Sequence, residues 1–347
     1  MAIEYSLYIE LGVNLKPGKT FSYYFERKHT LNTYLAALLS IATAMPLIAN
    51  AASIAYITNQ GSNTVSVIDI EKSSLVKTIP VGKAPVGVAV SSKLNRVYIS
   101  NVEGQSISVI DSISNQVIAE IAIKGSPVGI TLTPDSSILF VADWYDDLVL
   151  AIDTSDFKNV KPIFVGKAPA GMVVSPDGKT LYVANRDSND VAAIDTATLS
   201  IRGRIAVGTH PFGLALNREG SELYVVNVQS NSLSVITTGT SELATVKVGD
   251  HPYCVTVSGD GKFAYVTNTQ GDNVSVIDTR LRKIINRINV GEVPEGINYD
   301  IASGKIIVAN WGSDSVSIIN DLGNQPESIA TGKQSRAFGN FILQSPP

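Results

Sequence analysis

From Ser53 to the C-terminus the chain alternates apolar and polar residues in short runs, and no window sustains a helical period. NTVSVIDI (63–70), QSISVIDS (105–112), NDVAAIDT (189–196) and DNVSVIDT (272–279) are typical. Alternation at period two, bounded by turn residues, predicts half-buried strands. The links agree, since SPDGK (175–179) and SGDGK (258–262) carry the Asp and Gly of tight turns.

The runs recur. YITN, YISN, FVAD, YVAN, YVVN, YVTN and IVAN end at Asn59, Asn101, Asp143, Asn185, Asn227, Asn268 and Asn310, at spacings of 42, 42, 42, 42, 41 and 42 residues. Each copy continues into an alternating run, a third run ending in Val-Gly or a variant of it, then Pro-x-Gly and a fourth run. Four strands in about 42 residues, seven times over, predict an all-β, seven-bladed β-propeller of four-stranded antiparallel blades. SIAYITN (53–59) reads as the second strand of a blade and RAFGNFILQ (336–344) as a first strand. The two ends are therefore expected to share one blade, with the C-terminal strand innermost, and to close the ring non-covalently.

The register of YVTN-like copies, with NVSVIDT and VGxxPxG, resembles the YVTN-type β-propeller repeat family of exported bacterial and archaeal proteins, over residues 53–344. The resemblance implies the fold. For function it implies a range: cell-surface and periplasmic binding proteins, partners of redox enzymes and occasional enzymes.

Residues 1–51 differ from the rest. ERKH (26–29) supplies positive charge, YLAALLSIATAMPLIA (34–49) is an apolar run interrupted by Pro46, and Ala49-Asn50-Ala51 has the small residues of a signal-peptidase site. This predicts an export signal cleaved after Ala51, hence a periplasmic or secreted protein without a membrane span once the signal is removed. The stretch before Arg27 is longer than a usual charged n-region, which points to a translation start downstream of Met1.

The whole chain has 27 basic and 31 acidic residues, 44% hydrophobic and 17% charged residues, and one cysteine. Such a balance gives no basic face for duplex DNA. A single cysteine excludes an internal disulfide and the CxxC zinc and redox motifs. No GxSxG, Walker, HExxH or CxxCH pattern occurs.

A residue that returns in every repeat is explained by the blade. Asn59 and its counterparts, and Asp69, Asp111, Asp153, Asp195 and Asp278, are read as turn-forming side chains bonding local backbone. Gly87, Gly129, Gly171 and Gly213 are read as places where inner strands crowd the axis. Functional candidates are the residues that break the pattern. Before proline the slots read Ala84, Ser126, Ala168, His210, His251 and Val293, with Arg336 at the irregular seventh. After proline they read Val86, Val128, Ala170, Phe212, Tyr253, Glu295 and Phe338. Following the Asn or Asp they read Gln60, Val102, Trp144, Arg186, Val228, Thr269 and Trp311. All three sets fall at one end of the ring.

Trp144, Arg186, His210, Phe212, His251, Tyr253, Glu295, Trp311 and Arg336 are accordingly the candidate ligand-binding residues, since aromatics among mixed polar groups make recognition surfaces. No catalytic residue and no cofactor is assigned. His210, His251 and Glu295 could converge as a two-His-one-carboxylate divalent-metal site. Cys254 occupies a glycine slot as small filler. The preferred reading is a monomeric, non-enzymatic binding or scaffold protein engaging a protein partner or small-molecule ligand at this channel end. The alternatives are a lactonase- or hydrolase-like enzyme or an accessory subunit of a periplasmic dehydrogenase, and third, a single-stranded nucleic-acid binder.

Overall fold

The computed structural model describes residues 53–320 and 325–344. The export signal predicted over residues 1–51 lies outside the described residues. Those described form seven antiparallel blades in a ring, each built as an inner, second, third and outer strand. Blade 1 is closed by the two chain ends, and blade 2 begins at Pro85, blade 3 at Pro127, blade 4 at Pro169, blade 5 at Pro211, blade 6 at Pro252 and blade 7 at Pro294. This is the predicted seven-bladed β-propeller.

Burial follows the order of the strands. Second strands such as Arg96–Asn101 are buried on both faces by the neighbouring blades, their polar residues Ser100 and Asn101 included. Outer strands such as Ser74–Pro80 face solvent except for a single anchoring residue, here Ile79.

The recurring Asn is not the expected turn-former bonding local backbone at Asn101, Asn227 and Asn310, where its amide instead reaches hydroxyls on the next strand. Asn101 Nδ2 donates to Ser106 Oγ at 3.1 Å and Ser108 Oγ at 2.9 Å, tying second strand to third inside the blade. Asn227 and Asn310 repeat the arrangement on Ser232 and Ser234, and on Ser315 and Ser317. Blade 3 lacks the hydroxyls, having Leu148 and Leu150 at the two positions, and there the Asn is Asp143. An amide would have no acceptor at that place; the carboxylate instead accepts backbone N–H groups from Ser126, Tyr145 and Asp146 at 3.3, 3.2 and 3.3 Å. The Asp series bonds local backbone as expected, for example Ser114 N–H to Asp111 Oδ1 at 2.8 Å and Leu281 N–H to Asp278 Oδ1 at 2.7 Å.

Inner strands crowd the axis at the glycine slots. A Cβ on Gly87 would lie 2.4 Å from the carbonyl oxygen of Val128, and one on Gly171 2.3 Å from that of Phe212, so a side chain there would push adjacent blades apart. In blade 6 the slot holds Cys254, which packs its sulfur against Gly213 and is buried.

Ring closure is as predicted, with one addition. Ile342–Gln344 pairs antiparallel with Ser53–Ala55 as the innermost strand of blade 1. The preceding Phe338–Asn340 leans the other way and pairs in parallel with Gly87, Val88 and Ala89 of blade 2. The C-terminal segment thus bridges two blades and enters the channel. Gly339 makes this passage, with φ of +111° and no room for a Cβ, which would sit 2.5 Å from the Val88 carbonyl oxygen.

Candidate functional site

The slot before proline has a defined backbone state. Ala84, Ala168, His210, His251 and Val293 all lie in the left-handed region, at φ of 53°, 51°, 55°, 50° and 50°. Each backbone N–H is held by an Asn or Asp from the preceding blade, as His210 N–H by Asn189 Oδ1 at 2.9 Å and His251 N–H by Asn231 Oδ1 at 3.0 Å. Each carbonyl accepts from the link that carries the Trp144 and Trp311 slot, as Val228 N–H to His210 O and Trp311 N–H to Val293 O. The two sets of loops therefore share one end. Histidine is among the residues that tolerate the left-handed region best after glycine, asparagine and aspartate, so the slot itself favours it.

The slot after proline aims at the axis. Phe212 packs against Tyr253 at 4.2 Å, Phe338 at 4.8 Å and Trp144 at 5.8 Å between ring centroids. Beside these rings Glu295 and Arg336 form a bidentate pair, Nε to Oε2 at 2.5 Å and Nη2 to Oε1 at 3.1 Å. Arg336 also donates to the Tyr253 hydroxyl at 2.6 Å and to Gln60 Oε1 at 3.1 Å, with its guanidinium 5.9 Å from the Tyr253 ring centre. The channel is shut at this end by rings on one side and a largely buried ion pair on the other.

Burial sets the electrostatics. It raises the Glu295 carboxyl above the ordinary carboxylate value, against the pull of Arg336. It likewise raises the Tyr253 hydroxyl and the Cys254 thiol, the latter with Glu295 adding to the effect. A thiol so held is protonated at neutral pH and a poor nucleophile.

A second group flanks the plug. The Arg186 guanidinium lies 5.6 Å from the Trp144 ring centre and pairs with Asp187 at 2.5 Å. His210 Nε2 stands 3.8 Å from the same Asp187 oxygen, while its Nδ1 is buried without a hydrogen-bond partner among the described residues. Arg186–Ser188 is a single 3-10 turn, which presents Arg186 from blade 4 toward Trp144 on blade 3, while His210 comes from the link into blade 5. Tyr145, next in the chain, is 76% exposed.

Of the nine candidates, then, Trp144, Arg186, His210, Phe212, Tyr253, Glu295 and Arg336 are joined in one continuous cluster. Trp311 is half-buried on blade 7, and His251 is exposed; neither makes a ring or ion-pair contact with that cluster. Glu295 is occupied by Arg336, and no group of three or more His, Cys, Asp or Glu among the described residues is placed to hold a metal ion. Sequence reasoning passed over Asp187, Gln60 and Phe338 as site residues. Gln60 and Phe338 stand in the compared slots, but nothing in those slots marks a residue as the partner of an arginine or as a plug.

Residues 151–247 match the model of the lactonase family, a 7-bladed β-propeller, and residues 204–303 match that of the YNCE-like β-propellers. Both matches are to propellers, and this chain is one. Among curated proteins no match is found. Solved structures similar to the propeller include hydrazine synthase of Kuenenia stuttgartiensis, at TM-score 0.70 and 20% identity, covering 78% of this chain and 92% of the other. A functionally unknown protein from Desulfotomaculum acetoxidans aligns at TM-score 0.74 and 16% identity, covering 85% and 99%. The dihydro-heme d1 dehydrogenase NirN in complex with DHE aligns at TM-score 0.64 and 12% identity, covering 84% and 75%. At such identities the likeness carries the fold.

Proposed function

We propose that the protein is an exported, non-enzymatic binding propeller that seats a protein partner or an extended ligand on the end bearing Trp144, Arg186 and His210. The observation that supports this is the closed channel. Phe212, Tyr253, Phe338 and the Glu295–Arg336 pair fill its mouth and satisfy one another, leaving a preorganised surface of rings and charges in place of a cleft. Aromatics and arginine, held rigid before contact, are what recognition surfaces use as anchors.

The test is capture from an exported fraction with the wild type and with a Trp144→Ala/Arg186→Ala variant, followed by mass spectrometry. A species retained by the wild type and lost from the variant, with an unchanged melt, supports the reading. Equal retention by both sinks it. The partial lactonase match favours one alternative, since it spans Arg186 and His210. Turnover of a lactone that disappears in His210→Ala, or a stoichiometric metal lost in His210→Ala/His251→Ala, would replace binding by catalysis.

A further inference from the structure

The end of the channel opposite the rings and charges is open. There the inner strands of blades 3 to 7 and the C-terminal segment enclose a cavity of about 340 Å³. It is blind, because Phe338 lies at its inner end and is backed by Phe212, with Tyr253 beyond. Met172, Leu214 and Val257 contribute apolar wall, and Ile301 of blade 7, 60% exposed, and Pro176 of blade 4 also line it. No Asp, Glu, Lys, Arg or His lines it. The polar groups are amides and hydroxyls, and two amides differ in their state. Asn298 is fully engaged, donating to Ile297 O and Gly339 O and accepting from Phe341 N–H. Asn340 is exposed where this cavity meets the smaller pocket between blades 2 and 3, and its side chain has no hydrogen-bond partner among the described residues.

We propose that this cavity is a second binding site, independent of the opposite end, for a small neutral ligand that is mainly apolar and carries one hydrogen-bonding group. The volume falls at the lower end of the range of small-molecule sites, roughly 300–1,000 Å³. The wall rewards apolar surface, while a charge would lose its hydration and find no counter-charge. Asn340 offers one donor and one acceptor to the single polar group. The site exists because the C-terminal segment departs from the other six inner strands: pairing with blade 2 carries Phe338 into the axis and leaves Asn340 at the border of the space below it.

Two dyes of one skeleton test the proposal. N-phenyl-1-naphthylamine is neutral with a single N–H, and 8-anilinonaphthalene-1-sulfonate adds a sulfonate to it. The neutral dye is expected to bind saturably at one per chain, and the sulfonate at least tenfold more weakly. Thr131→Trp, at a half-buried wall position, lowers neutral-dye affinity at least tenfold while keeping the wild-type melt; Met172→Trp lowers it likewise but melts lower, since Met172 is also packed in the core between blades 3 and 4. Asn340→Ala lowers it several-fold with no change in melt. No saturable binding of the neutral dye, equal binding of both dyes, or undiminished binding in a folded filled variant overturns the site. Unchanged affinity in Asn340→Ala overturns the role given to that amide.

Discussion

At the scale of single residues, the repeat separates side chains that the backbone requires from those it merely permits. Asn101 is required where hydroxyls face it, and Asp143 replaces Asn where leucines do. His210 and His251 are permitted, because a left-handed slot accepts histidine more readily than most residues. Part of their distinctness in the sequence is therefore conformational, and the remainder rests on the neighbours of His210, Asp187 and Arg186. The Asp series carries a testable consequence. Backbone N–H of Thr198 and the Arg202 guanidinium hold Asp195 down at about 2, from an ordinary 3.8. A carboxylate lowered on folding stabilises the native state above its unfolded pKa, and that contribution is lost as pH falls through the folded value. Asp195→Asn should thus melt lower than the wild type at neutral pH, with the gap closing between pH 4 and pH 2. Parallel melts across that window check it, and a gap that stays constant would assign the loss to packing instead.

At the scale of elements, strands, turns, blade number and the shared first blade were all legible, because alternation and the 42-residue period are properties of local sequence. The common end of the three slots was legible for the same reason: antiparallel connectivity fixes which loops neighbour each other. Two things were not. RAFGNFILQ reads as one inner strand, yet Phe338–Asn340 pairs with blade 2 and Ile342–Gln344 with blade 1. That division depends on a glycine passing close to Val88 and on Phe338 finding Phe212 across the axis, and both are long-range contacts. The cavity at the far end was hidden with it. A chain ending before Arg336 loses the inner strand of blade 1, the Phe338 plug and the guanidinium that neutralises Glu295. Removal of one partner of a buried pair alone costs about 3–5 kcal/mol. Such a truncation should lower the melting temperature sharply, and an unchanged melt would refute closure by the C-terminal strand.

At the scale of the whole molecule, six of the seven blades are each a continuous stretch of chain, whereas blade 1 is held together within itself by Ser53–Ala55 against Ile342–Gln344. The ring opens first at its non-covalent seam if blades contribute comparably, since stacked repeats depend chiefly on their neighbours. Ser53 and Gln344 are directly opposed in antiparallel register, a relation that places Cα atoms roughly 4.5–5.5 Å apart and within reach of a disulfide. The sole native cysteine is buried and holds its proton, so it offers little competition during oxidation. A Ser53→Cys/Gln344→Cys chain should therefore cross-link cleanly and gain about 2–4 kcal/mol from a loop that spans nearly the whole propeller. Melts with and without reductant read this out. Because Ser53→Cys removes the hydroxyl that donates to buried Asp300, the reference is the reduced variant, and an oxidised melt raised above it identifies the seam inside blade 1 as the weak point. No gain of the oxidised over the reduced form, with the bond confirmed by mass, would mean that unfolding begins in another blade and that blade 1 is already as strong as the six continuous ones.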